Sequence, residues 1–239
     1  MGAFSVEGIV LRHADYREND RMLTLLTPQG RVDALCRGCK RPKSPLLPGS
    51  EVFALGNYEL VATKAHTLVA NCLLRDSFYD LRLNIDKLSC AAYMANICEA
   101  TVQPDEDARR PFLLLARALG YLAYQPYAPR AVLSAFLLHY AVAMGYKPRL
   151  NHCVLCGQPL EENAGAMFDI AQGGVVCPAC VPRMGRGAAL QARELSWLRE
   201  ALQKGVKGDL PPEDAPLPLM QAYLENRIEK RIPTLMVKL

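Results

Sequence analysis

Four cysteines stand in two tight pairs, Cys153-Val-Leu-Cys156 and Cys177-Pro-Ala-Cys180, with twenty residues between the pairs. That spacing belongs to a closed four-thiolate metal site. Each pair can close a small turn that aims two sulfurs at one tetrahedral ion. Zn²⁺ suits the arrangement because it is d¹⁰, borderline-soft and imposes no direction of its own. Gly157 follows the first pair, and Gly173, Gly174 and Pro178 surround the second, as knuckle turns require. Two disulfides would use the same residues but need an oxidising compartment. The N-terminus, Met-Gly-Ala-Phe-Ser-Val-Glu-Gly, has neither a basic leader nor a long apolar run, so no secretory signal is expected and the expected location is cytoplasmic. There the thiols are available to one structural zinc ion on Cys153, Cys156, Cys177 and Cys180. A closed shell leaves no position for water or substrate, so this ion organises and does not react. His152 abuts the first pair, yet four sulfurs already complete the shell.

The second chemical signal is cationic. Arg37, Lys40, Arg41 and Lys43 crowd the segment Cys36-Arg-Gly-Cys-Lys-Arg-Pro-Lys-Ser44, and from Arg31 to Lys43 the only acid is Asp33. Crowded cations repel one another, and a polyanion relieves the repulsion. A loop of this kind on the rim of a barrel can track a phosphate backbone while the barrel offers rings to bases. Tyr16, in the first expected turn between strands, is a possible stacking ring. The simpler expectation for it is a ring packed on its own turn. Two patterns mislead. Gly38 followed by Lys43-Ser44 echoes a phosphate-binding P-loop, but Pro42 stands where that loop needs glycine, so no nucleotide cofactor is expected. Cys36 and Cys39 form a third Cys-x-x-Cys, but Arg37, Lys40 and Arg41 would repel a metal ion. The same charges should lower the thiol pKa values; the preferred role for both cysteines is nevertheless as small side chains in a turn. Cys72, Cys90 and Cys98 lie on apolar patterns and read as core.

The elements that must position these groups follow from periodicity. The chain has 239 residues, 51% hydrophobic and 22% charged, with a net charge of +4, the composition of a globular protein. Its longest apolar stretch, Ala131 to Tyr146, is too short to span a bilayer. Residues 1–78 read as β: Phe4–Arg12, Arg21–Thr27, Arg31–Cys36, Glu51–Leu55, Tyr58–Thr63 and Thr67–Leu74, split by turns at His13–Asp20, Pro28–Gly30, Gly56-Asn57 and Lys64–His66. So many short strands predict a small barrel. After Tyr79 the period becomes helical. Leu81, Ile85, Leu88, Ala92 and Ala95 form one stripe. A second helix is expected to start after Pro104, with Asp105, Glu106 and Asp107 complementing its dipole. A third spans Ala131 to Met144, apolar on nearly every face. Beyond the cysteines, one helix carries Leu195, Leu198 and Leu202, and the other carries Met220, Leu224 and Ile228. The expected fold is α+β: an N-terminal OB-fold β-barrel (1–78), then an α-helical bundle (79–149 and 185–239) carrying an inserted Cys₄ zinc knuckle (150–184).

The runs Gly8-Ile-Val-Leu-Arg12, Tyr16-Arg-Glu-Asn-Asp20, Leu25-Leu-Thr27, Gly30-Arg31 and Arg37-Gly-Cys-Lys-Arg-Pro-Lys-Ser44 resemble the N-terminal signature of the RecO family, bacterial recombinational-repair mediators. The order of parts matches over essentially the whole chain, down to a terminal helix with Tyr223-Leu224-Glu225. Cys36 and Cys39 depart from the pattern, since the family usually has small residues such as Ala there. Some members lack the full cysteine set, so zinc rests on this chain's own thiols. The resemblance implies a non-enzymatic protein that binds single- and double-stranded DNA and anneals complementary strands. With RecR it would help load RecA on single strands coated by the single-strand-binding protein, SSB, whose C-terminal tail docks on the helical domain. Arg37, Lys40, Arg41 and Lys43 align with the family's basic loop and are the DNA-contact candidates. The alternative from another class is a zinc-containing protein–protein adaptor without DNA binding. No His-Glu-x-x-His, Gly-x-Ser-x-Gly or convincing carboxylate cluster favours a hydrolase.

Overall fold

Alternation of apolar and polar residues builds the first part of the molecule, seen here in a computed structural model that describes residues 2–160, 165–204 and 216–233. Residues 205–215 and 234–239 of the expected helical segment 185–239, and 161–164 of the expected 150–184 module, lie outside the described residues. Five strands, β1 (Ala3–Arg17), β2 (Asp20–Thr27), β3 (Gly30–Cys36), β4 (Leu55–Ala62) and β5 (Thr67–Asp76), close a barrel in the order β1-β2-β3-β5-β4. Every pair is antiparallel except β3–β5, which is parallel. This is the Greek-key closure expected of an OB-fold. Every second residue points inward. Leu23 and Leu25, Ala34 and Cys36, and Tyr58 and Leu60 meet Val10 and Val69 in one buried cluster. The Tyr58 hydroxyl, fully buried, donates to the Gly49 carbonyl at 2.8 Å and so ties the long β3–β4 connection to the barrel.

The strands differ from the sequence expectation in two places. β1 continues through His13–Arg17, expected as a turn, because it hairpins directly with β2 as far as Arg17 opposite Asp20. Glu51–Leu55 is not a separate strand; Gly56-Asn57 instead lies within β4, paired with β5. The barrel still closes, because β4 pairs with both β1 and β5. The β2–β3 turn needs glycine at Gly30, where φ is +109° and a Cβ would lie 2.6 Å from the Gln103 carbonyl oxygen.

Two helices belong to the same compact unit as the barrel, which runs Met1–Gln125. α1 (Ile85–Thr101) is capped by the Asn84 side chain, which accepts from the Asp86 and Lys87 amides. The predicted stripe is only part of its buried face. Leu81 is buried but sits in the preceding 3₁₀ turn, Ala95 is buried, Leu88 and Ala92 are half-buried, and Ile85 is 59% exposed. The helix also buries Cys90, Tyr93, Met94, Ile97 and Cys98. Its small residues let it bury several faces, which blurs any single stripe. α2 (Arg109–Tyr124) starts later than predicted, so Asp105, Glu106 and Asp107 form the turn before it rather than its first turn. Glu106 accepts from the Gln103 amide, and Asp107 accepts from the Arg109 amide and guanidinium. Arg31 fastens this region to β3, its amide donating to Gln103 O and its guanidinium to Glu99 O.

The second compact unit runs Pro126–Ile232. The two units thus divide the helices differently from the three textures of the sequence. α3 (Pro129–Ala143) is apolar almost all round, as predicted, and packs against α4 (Ala192–Lys204) and α5 (Leu217–Ile228). Between α3 and α4 the chain forms a three-stranded antiparallel sheet, β7-β6-β8, from β6 (Ala166–Asp169), β7 (Gly174–Val176) and β8 (Gly187–Leu190). Asp169 is 2% exposed, yet both carboxylate oxygens are satisfied, one by the Gln172 amide and one by the Gly185 amide. This carboxylate pins two turns of the cysteine module at once. No helix among the described residues is long and apolar enough to cross a membrane.

Candidate nucleic-acid interface and metal centre

The basic loop is a chain of tight turns. It leaves β3 at Cys36, and Gly38 adopts φ +65° while its amide donates to the Asp20 carboxylate at 2.8 Å. Arg41 N then donates to Gly38 O, Ser44 N to Arg41 O and Leu47 N to Ser44 O. The Lys40 amide donates to Asn19 O at 3.1 Å, so the loop is stitched to the β1–β2 turn. Arg37, Arg41 and Lys43 are exposed and have no ion-pair partner among the described residues. Lys40 is different: its ammonium sits 2.7 Å from Asp15 Oδ2, with the Arg21 guanidinium 4.0 Å from the other oxygen. The hydrogen bond from Lys40 holds the exposed Asp15 carboxyl below its usual range.

The β1–β2 hairpin that holds this loop also touches the β4–β5 turn. Tyr16, 44% exposed, sets its ring edge-on to His66 of the β4–β5 turn, with centroids 6.0 Å apart. The Arg17 guanidinium lies 5.6 Å from the Tyr16 centroid. The ring therefore engages the neighbouring turn as well as its own, and keeps an open side. Lys64 is exposed in the same β4–β5 turn. Arg17, Lys64 and His66 were not singled out from the sequence. The signal that could have found them is the pairing of first and last hairpin loops in OB-fold ligand sites.

The four predicted metal ligands come together. The Sγ atoms of Cys153, Cys156, Cys177 and Cys180 all lie within 4.8 Å of one another. Cys156 and Cys177, from different pairs, are 3.6 Å apart, far beyond the roughly 2.05 Å of a disulfide. Four sulfurs about 2.3 Å from a tetrahedral ion would sit about 3.8 Å from one another, so the donor set fits a metal ion. Local turns produce this. Gly157 N donates to Cys153 O with φ +77° at Gly157, and Cys180 N donates to Cys177 O at the head of the 3₁₀ turn Pro178–Arg183. The Val154 amide, bonded to Val175 O, holds the first knuckle against β7. Gly174 admits this close approach, since a Cβ there would lie 2.5 Å from the Arg149 carbonyl oxygen and against Val154. Burial pushes the Cys153 thiol up, but amides of Cys177, Leu155 and Cys156 aimed at the sulfur outweigh it and bring the pKa down to about 6. Arg183 donates to Cys180 Sγ at 2.9 Å, a cation beside a site that four thiolates make negative.

For the third Cys-x-x-Cys the expected lowering of the thiol pKa is reversed at Cys36, and the preferred reading as small, unreactive side chains is the one that fits. Cys36 and Cys39 are 1% and 0% exposed, within the barrel core. Burial, then the adjacent Cys39 and Cys72, raise the Cys36 thiol far above its ordinary value. Arg21, opposite Cys36 on β2, pulls the other way, but burial outweighs it, and the cations of the loop itself are not among the causes. Cys90 and Cys98 are buried core residues, as predicted, whereas Cys72 is half-buried.

Comparison with known proteins divides the chain just after the barrel. Residues 1–72 match the family model described as Recombination protein O N terminal, and residues 82–236 match Recombination protein O C terminal. A protein of Moorella thermoacetica named DNA repair protein RecO is 29% identical over 97% of this chain and 88% of its own length. Proteins of the same name from Anaeromyxobacter dehalogenans and Anaeromyxobacter sp. Fw109-5 are 31% and 32% identical, over 97% and 94% of this chain and 94% and 91% of their own lengths. With both halves matched in order, a closed five-stranded barrel followed by helices, and four clustered thiols, the chain belongs to the RecO family of DNA repair proteins.

Proposed function

We propose that this protein is a cytoplasmic mediator of DNA repair and homologous recombination that acts by binding rather than by catalysis. It binds single- and double-stranded DNA and anneals complementary strands. With RecR it helps RecA load on single strands coated by SSB, whose C-terminal tail it engages. The observation that carries the DNA-binding reading is the basic loop held on the β1–β2 hairpin, whose Tyr16 in turn touches the β4–β5 turn, with Arg37, Arg41 and Lys43 exposed on the loop. Annealing requires that two repelling backbones be neutralised and brought together, and a cationic surface does this without a nucleotide cofactor. Arg37, Arg41 and Lys43 contact phosphates, and Lys40 joins them by exchanging Asp15 for a phosphate. The Tyr16 ring offers a face on which an unpaired base stacks, a sequence-tolerant contact.

In the second unit, Cys153, Cys156, Cys177 and Cys180 hold one zinc ion. The ion cross-links the two knuckles and has no open position for substrate. Arg183 offsets part of the charge of the four thiolates. The test is annealing of complementary strands precoated with SSB. The intact protein should accelerate it, and a variant with Arg37, Arg41 and Lys43 replaced by Ala should lose most of the acceleration. Equal rates for the two proteins would remove the loop from the function.

A further inference from the structure

The second unit carries a cationic cleft that the barrel surface does not account for. Lys147, Arg149, His152 and Arg199 line a cavity of about 290 Å³, closed at one side by Leu202, and no acidic side chain lines it. Its floor is fixed. Arg149 N donates to Gly173 O at 3.0 Å, and Val175 N donates to Arg149 O at 2.9 Å, which lays the segment beside β7. On the opposite side Arg199 places two donors on Leu150 O, Nε at 3.0 Å and a terminal nitrogen at 2.9 Å. The Leu150 side chain is buried, whereas Lys147, Arg149 and His152 are exposed. None of these three has an ion-pair partner among the described residues.

Such an arrangement favours an anion with oxygens spread over several ångströms. A hydrogen-bonded backbone places an ammonium, a guanidinium and an imidazole along one segment, and guanidinium and ammonium groups are the usual phosphate binders. The volume lies at the small end for ligand pockets, of about 300–1,000 Å³, and suits phosphodiesters of a passing strand better than a whole nucleotide cofactor. We infer that this cleft is a second phosphate-backbone site, which holds a nucleic-acid strand independently of the barrel loops. The inference rests on the DNA-binding reading above and extends it: each unit has its own strand site, which would let the protein hold two strands at once.

The test is the salt dependence of binding of a fluorescent single-stranded oligonucleotide to the full-length, zinc-loaded protein. The variant Lys147→Gln/Arg149→Gln should lower the slope of log Kobs against log[salt] by about 1.4, from roughly 0.7 per phosphate contact. The Arg37/Arg41/Lys43→Ala variant should keep salt-dependent binding, and adding Lys147→Gln and Arg149→Gln to it should lower the slope by about 1.4 more. An unchanged slope in the cleft variant, with zinc content and thermal unfolding intact, overturns the inference while a reduced slope in the loop variant leaves the barrel reading standing. The reverse pattern removes the barrel loop and keeps the cleft, and salt-independent binding by the wild type sinks both. If the cleft variant loses zinc or unfolds, photocross-linking of the wild type to a halogenated-uracil strand decides. A cross-linked peptide spanning 147–152 supports the site, and its absence overturns it.

Discussion

Asp15 and Lys40 show how one carboxylate can set the strength of a basic surface. At 2.7 Å the pair already satisfies one of the loop's four cations, so a phosphate must displace Asp15 to reach it. Removing the negative charge frees Lys40 for DNA. Asp15→Asn should steepen the salt dependence of single-strand binding by up to about 0.7 and tighten binding at low salt. A looser complex would show that Asp15 supports the loop rather than competing for it. Residue by residue, legibility in the sequence tracked locality. The four metal ligands were readable because Cys-x-x-Cys fixes its own turn. The burial of Cys36 and Cys39 was not readable, because it depends on barrel closure by strands far along the chain. Gly174 carries a similar non-local demand. Gly174→Ala should destabilise the second unit by about 1–3 kcal/mol, the range for overpacking, seen as a lowered Tm, because its Cβ would meet Arg149 O and Val154. An unchanged Tm would mean that the β7 contact yields freely.

Among the elements, strands with strict alternation were predicted closely and helix faces poorly. β2 and β3 stand where Leu23-Leu25 and Ala34-Cys36 place them. α1 escaped the stripe argument because Ala91, Ala95 and Cys98 allow close packing on several sides, so its exposed Ile85 was mistaken for core. The short sheet β6–β8 gave no signal because its strands hold only four, three and four residues and are fixed by Asp169 and the knuckle turns. This sheet makes the metal's role testable. Its core neighbours, Val176 and Met167, pack with Cys153 and Cys180. Zinc binding to such a site is worth on the order of 10 kcal/mol of local folding free energy. Chelation, or Cys153→Ser, should therefore strongly accelerate amide exchange across 165–190 while the barrel amides keep their protection. Equal protection with and without metal would show that the module folds on packing alone.

At the scale of the whole molecule, composition said little and distribution said more. A net charge of +4 is mild for a DNA-binding protein, yet the cations are concentrated: three exposed ones in the barrel loop, and Lys147, Arg149 and Arg199 around one cleft of the second unit. Pattern and spacing sufficed for the barrel, the helical part and the clustered thiols. The cleft stayed hidden, because Lys147 and Arg199 lie fifty-two positions apart and only α4 docking on the Leu150 carbonyl unites them. The account depends most on the barrel loop being a phosphate contact. The direct measurement is log Kobs for a single-stranded oligonucleotide against log[salt], for the wild type and for Arg37/Arg41/Lys43→Ala. Three lost contacts predict a slope shallower by about 2 in the variant. Superimposable lines for the two proteins would contradict the account.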